Sequence, residues 1–286
     1  MAAVKAMCFG FPEKADSLDA PSRLQGKVPV FVPIYDDNPL RSIRWPYVTV
    51  GLIALNVLFY LLEITEQGQA MAASFAIIPT ELFQVRVFGG AARGPYDAVP
   101  FPEGLTLITY MFLHGDPLHL AGNMLFLWVF GDNVEDAMGH FRFIVFYLAC
   151  GIFGGLMHAV NAEYGFAHLL FKAAAIKESA GKVPLIGASG AVAGVIAAYV
   201  LLYPRVMVWV LAFRIIPLHI NAAFALGAWI LSQFVMALIP DKGPVAWWAH
   251  IGGIIAGAVL IVFMRRPDVP LFGRPPEPSP DRGPTV

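Results

Sequence analysis

The chain has 286 residues, 58% of them hydrophobic and only 14% charged, with a formal net charge of −1 and a mean hydropathy of +0.66. A soluble domain carries about 25% charged and about 45–50% apolar residues. The composition therefore excludes a soluble globular enzyme and a disordered chain, and the lack of positive charge excludes a nucleic-acid binder. Two cysteines, Cys8 and Cys150, make no disulfide framework. A membrane protein is what remains.

Charges concentrate at the two ends. Residues 1–45 read as a polar arm, residues 46–264 as a membrane core and residues 265–286 as a proline-rich tail, extended or disordered. In the arm, the short apolar stretch Val28–Ile34 leaves open a small structured element or a tether. A secretory signal is not expected, because the first long apolar run begins only near Tyr47.

A spanning helix needs about 20 mostly apolar residues. The first expected span is Pro46–Ile64. The second starts at Pro117, because Asp116 followed by Pro117 pairs an N-cap acceptor with proline at the first helical position, and it runs to Met138. Phe143–Val160, Val183–Tyr203, His219–Ile239 and Gly243–Met264 complete six spans. Val206–Phe213 is apolar but too short to cross; it is expected at the interface or as an extension of span five. Arg41 and Arg44 flank the first span, and Arg265 and Arg266 the last, so both termini are expected in the cytoplasm.

Spans two, four and six then start on the outer side, and their first turns share one depth. Those turns and the segment just before span two carry His114, His119, Asn123, Ser189 and His250, each about 10 Å or less from an outer end at 1.5 Å per residue. Polar groups inside a membrane are costly and face the protein interior, which makes them functional candidates. Ser189 lies in Gly187-Ala188-Ser189-Gly190. A serine in an apolar helix commonly back-bonds to a carbonyl one turn away; here the glycines let a backbone or a substrate approach, and the helix start favours an oxyanion.

His250 shares a helix face with Gly253 and Gly257, and Gly253-x-x-x-Gly257 is a small-residue packing signature. Gly190-x-x-x-Gly194 is its counterpart on span four. Two such faces can meet closely, which would set His250 beside Ser189 as a base beside a nucleophile. No acidic residue near either in sequence supplies a third triad member. His119 and Asn123, four apart on one face, can both donate to an oxyanion or can form a polar knot between helices. His140, His158, His168 and His219 read as bland.

His114-x4-His119-x3-Asn123, Gly187-Ala188-Ser189-Gly190 and Ala249-His250-x2-Gly253, together with Gly131-x3-Glu135-x3-Gly139, resemble the motifs of the rhomboid family of intramembrane serine proteases, over about residues 40–264. The resemblance implies an all-α six-helix bundle. It implies Ser189 as nucleophile, His250 as general base, and His119, Asn123 and the Ser189 N–H as the oxyanion hole. His114 would be structural or water-retaining, with Gly187 and Gly190 lining the site. It implies no metal or cofactor, single-span transmembrane proteins as substrates, and a bacterial inner-membrane location. Two features depart from the pattern. Ala193 stands where many members carry an aromatic residue packed on the histidine, so ring support is expected from Trp247 or Trp248. The first outer loop, residues 65–104, has no Trp-Arg pair. A proteolytically inactive relative that binds membrane clients is the second reading. A transporter or metal site is the third, but no His-Glu-x-x-His motif and no mid-membrane acid relay support it.

Overall fold

The computed structural model describes residues 31–84, 97–165, 180–212, 215–239 and 245–273. The first 30 residues of the arm, Gly243 at the expected start of span six and the tail from residue 274 lie outside these. Strand β1 (Phe31–Asp36) precedes helix α1 (Tyr47–Glu63), short helices α2 (Glu66–Ala72), α3 (Pro79–Gln84) and α4 (Glu103–Thr109), and the long helices α5 (Pro117–Met138) and α6 (His140–Tyr164). Then come α7 (Ser189–Leu202), strands β2 (Met207–Ala212) and β3 (Ile216–Asn221), α8 (Ala222–Ala237) and α9 (Trp247–Met264). By length and composition α6 and α9 can cross a bilayer, and α1 with Glu66–Phe75 makes a third candidate, bent by 107°. Helices α7 and α8 are apolar but shorter. The architecture is a helical membrane bundle.

Local signals explain the helix ends. The Asp116 carboxylate accepts from the N–H groups of Leu118 and His119 at 2.8 and 2.9 Å, ahead of Pro117. Gly139, at φ +86°, separates α5 from α6. Span four was expected from Val183, yet α7 begins only at Ser189. Gly187 sits at φ +123°, a left-handed setting that breaks a helix. Just before it, Leu185 forms a β-bridge to Ile77 and the Gly187 N–H donates to the Tyr110 carbonyl.

The all-α expectation is corrected by a three-stranded antiparallel sheet in the order β1-β2-β3. Val206–Phe213 does not extend the helix expected as span five. Its described part is β2, with Val208 and Val210 buried and Trp209 exposed, a period of two that suits a strand. The helix expected as span five begins only at Ala222, where the Asn221 side chain caps it by accepting from the Phe224 N–H. In register, Phe31 faces Ala212 and Asp36 faces Val208 on one side of β2, and Met207 faces Asn221 on the other. His219, expected at a span start, is in β3. It stacks on Trp209 at 4.6 Å and lies 2.8 Å from the Asp37 carboxylate.

The arm is bound to the core by carboxylates. Asp136 accepts from the N–H groups of Arg41, Ser42 and Ile43 at 3.0, 2.7 and 2.6 Å. Glu135, fully buried, accepts from Val48 N–H, from Thr49 N–H and Oγ1, and from His140 Nδ1. His140 is thus not bland, because it helps hold the start of α6 and the start of α1 to one carboxylate. The tail is not wholly extended either. Phe272 and Gly273 donate to the Leu201 and Leu202 carbonyls, satisfying acceptors at the end of α7.

Helices α6, α7 and α9 meet through glycine. A Cβ on Gly253 would overlap the Gly190 carbonyl oxygen, and one on Gly257 would overlap that of Gly194. A Cβ on Gly154 would meet the Ala249 carbonyl oxygen at 2.7 Å. Only hydrogen at these positions permits this backbone spacing.

Two outcomes are expected. Gly257→Ala forces α7 and α9 apart and should cost about 1–3 kcal/mol. Gly227→Ala, on α8 with nothing within 4 Å of the new methyl, should be neutral or gain up to about 1 kcal/mol from helix propensity. Thermal melting in detergent compares them. The second concerns Asp36, outside the helices, whose side chain accepts from the Tyr199 hydroxyl. Burial lifts its carboxyl from 3.8 to about 7, against the opposing pull of that hydrogen bond. The folded state therefore holds the proton more tightly than the unfolded one. Its contribution is fully present below about pH 4 and is lost as pH rises through about 7. Melting curves of wild type and Asp36→Asn across that window should show the mutant lacking this part of the slope.

Candidate functional site

The glycine contacts between α7 and α9 bring two side chains together. His250, 9% exposed on the first turn of α9, presents Nε2 at 2.9 Å from the Ser189 hydroxyl. Ser189 is the first residue of α7, and no side chain caps that helix start. The first N–H groups of a helix have no intrahelical acceptor and carry the positive end of its dipole, so the hydroxyl stands where an anion would be stabilised.

His119 packs over Gly187. A Cβ there would lie 2.6 Å from the His119 Cε1, so the positive φ and the missing side chain at Gly187 both serve this arrangement. Asn123, one turn further along α5, is buried and its Nδ2 lies 3.0 Å from His114 Nε2. The His114 and His119 rings stand edge to face at 5.1 Å. An amide nitrogen can only donate, so in this pose His114 Nε2 accepts and one N–H of Asn123 remains for another partner. His114 is fixed in turn by its own N–H, which donates to the buried Glu63 carboxylate at 2.9 Å. Glu63 and His114 line a cavity of about 220 Å³ with Tyr60, Gln69, Asp116 and Pro117. Gly190 is pressed against the Tyr110 hydroxyl, which donates to the Gly151 carbonyl at 2.6 Å.

Sequence reasoning missed Glu63 and Gln233. Gln233 Oε1 lies 2.8 Å from His250 Nδ1, on the opposite edge of the ring from Ser189. Both are polar residues in largely apolar helices, which is a legible signal. Their partners are not legible, because they are set by how α1 meets the segment before α5 and how α8 meets α9. Ring support for His250 comes from Trp247, edge-on at 6.0 Å, and from Trp229, tilted at 30° and also 6.0 Å away. Trp229 was not anticipated. Among the described residues, the group with metal-ligand spacing is Glu81, Asp97 and Glu103, with carboxylate oxygens within 4.8 Å of one another.

Residues 102–267 match the family model described as the Rhomboid domain. The chain is 30% identical to Rhomboid protease GluP of Bacillus subtilis over 234 residues, covering 80% of this chain and 37% of the relative. It is 26% identical to Rhomboid protease AarA of Providencia stuartii over 163 residues, 56% of this chain and 52% of the relative. It is 26% identical to RHOMBOID-like protein 12, mitochondrial, of Arabidopsis thaliana over 161 residues, 56% and 46% of the respective lengths. The chain spans about half or less of the length of these relatives.

Proposed function

The chain belongs to the rhomboid family, and on that premise we propose that it is an intramembrane serine endopeptidase, cutting transmembrane segments of other membrane proteins near their outer ends. The observation that carries this reading is the 2.9 Å contact between Ser189 Oγ and His250 Nε2 at an uncapped helix start. In that geometry His250 Nε2 takes the hydroxyl proton as Ser189 Oγ attacks the scissile carbonyl. The same nitrogen then returns the proton to the leaving amine. Water repeats the sequence on the acyl-enzyme. Oxyanion charge falls to the Ser189 N–H, to His119 and to the remaining N–H of Asn123.

Six spans follow from this assignment: α1, α5, α6, α7, α8 and α9. Fourteen residues of α7 rise about 21 Å, less than the roughly 30 Å of a hydrocarbon core. The same reading sets the Ser189 end of α7 below the outer surface, with water reaching it from that side. Arg41, Arg44, Arg265 and Arg266 support cytoplasmic termini, and the location this reading assigns is a bacterial inner membrane. Gly187, Ala188 and Gly190 around the nucleophile favour a small residue before the cut. A substrate helix must unwind before its carbonyl is open to attack, so glycine, alanine or proline near the outer end should help.

Labelling of the detergent-purified chain with a fluorophosphonate should modify Ser189, as read by mass spectrometry. Ser189→Ala and His250→Ala should each reduce cleavage of a single-span test substrate to below a few per cent, since nucleophile and base act as a unit. Retained cleavage in either variant would sink the assignment. An unlabelled, inert wild type would favour a client-binding relative.

His119→Ala and Asn123→Ala should each lower kcat about tenfold or more with little change in KM. Steady-state kinetics separate the two constants, and a change confined to KM would instead mark a polar knot that only shapes the bundle.

A further inference from the structure

We propose that Gln233 is the positioning partner of His250, its side-chain oxygen holding the imidazole in the tautomer that leaves Nε2 free to take the Ser189 proton. This rests on the protease reading above and adds a residue to it.

The argument starts from the amide. Gln233 lies on α8 and is 3% exposed. Its Nε2 donates to the Trp229 carbonyl at 2.9 Å and lies 2.9 Å from Ser232 Oγ. The Ser232 hydroxyl already gives its own proton to that carbonyl, at 2.6 Å, so toward Gln233 it can only accept. Two acceptors thus claim the NH₂ end of the amide, and the oxygen end is left facing His250 Nδ1 at 2.8 Å. An amide oxygen cannot donate. Nδ1 must therefore carry the hydrogen, and a neutral imidazole with its proton on Nδ1 has a bare Nε2. That nitrogen faces Ser189 Oγ at 2.9 Å. The chain of acceptors on α8 fixes the protonation pattern of the base on α9.

A carboxylate in the same place would do the same, but as an ionised group it would have to be desolvated among apolar helices. Glutamine supplies an acceptor of the same reach without net charge. It also links the base to one helix. Trp229, four residues earlier on α8, forms one wall beside the His250 ring. The other buried residues of α8, Ala222, Ala225 and Leu226, all lie at its N-terminal end. Further along, Gln233 is the buried residue that ties α8 to the site, so the orientation of the base follows the docking of α8.

The test uses the full chain in detergent micelles. Gln233→Met keeps length and apolar volume but removes the strong acceptor; Gln233→Glu keeps an oxygen acceptor. Nitrogen-15 spectra of histidine-labelled protein, with His250 assigned by the signal lost in His250→Ala, report which ring nitrogen is protonated. In wild type the Nδ1–H form is expected. In Gln233→Met a mixture of tautomers is expected, with kcat lower by about tenfold to a hundredfold and KM within about twofold. Gln233→Glu should keep the Nδ1–H form and recover most of the lost kcat. The proposal is overturned if Gln233→Met keeps kcat within about threefold, or if it loses activity while the tautomer stays unchanged, since that would mean packing alone. It is also overturned by a folded Gln233→Glu that is as slow as the methionine variant, an outcome that decides the matter even should Gln233→Met fail to fold. A wild type that neither takes up fluorophosphonate at Ser189 nor cleaves removes the protease reading and this inference with it. An active, labelled wild type with a silent Gln233 removes the inference alone.

Discussion

The arrangement depends on backbone meeting backbone. Where Gly253 stands against the Gly190 carbonyl and Gly257 against that of Gly194, α7 and α9 approach more closely than any side chain would allow. Lipid is as apolar as leucine, so helices in a bilayer gain little by hiding greasy side chains from it. Contact of small residues is what holds them. That same contact sets the reach between the two ends of the site. Ser189 is one residue before Gly190, and His250 is three before Gly253. With the glycines in contact, both side chains fall within one hydrogen bond, on helices rather than on loops. A site on packed helices keeps its geometry without further support from mobile segments.

A second constraint is the cost of polarity in an apolar bundle, and three buried carboxylates meet it by taking donors from elements distant in sequence. Glu135 takes donors from α1 and from the start of α6, and Asp136 takes three backbone N–H groups from the segment before α1. Glu63 takes the His114 N–H. Each of these links places one element against another that is distant in sequence. They join the end of α5 to the start of α1, and the end of α1 to the turn before α5. The sheet adds a further tie, because β1 runs beside β2 and Asp36 reaches Tyr199 on α7. The segment ahead of the first long helix is therefore part of the core and not a free tether in its described part.

The site inherits both constraints. His119 occupies space that Gly187 leaves open, and Gly187 leaves it open because its positive φ is a helix-breaking setting just before α7. The helix start that frees the N–H groups near Ser189 is thus the same break that shortens α7. An uninterrupted helix from Val183 would have filled those N–H groups with its own carbonyls.

What the sequence determined by itself was local or periodic. Helix positions followed from apolar runs, the start of α5 from Asp116 and Pro117, and the meeting of α7 with α9 from two small-residue spacings, because each signal lies within one or two turns of chain. The candidate residues Ser189, His250, His119, Asn123 and His114 were legible for the same reason: they are polar groups in apolar segments. Tertiary structure alone decided the rest. The strand at Met207–Ala212 needed β1 and β3 on either side, since an apolar run of that length fits a strand or a helix equally well until a partner supplies hydrogen bonds. The late start of α7 needed Ile77 and Tyr110 to hold the chain before it. His140 looked bland until Glu135 was set beside it. Gln233 drew no notice in the sequence, because only the packing of α8 on α9 turns its oxygen toward His250. In each case the deciding contact joins residues whose separation in sequence carries no fixed distance, and only the packed bundle supplies one.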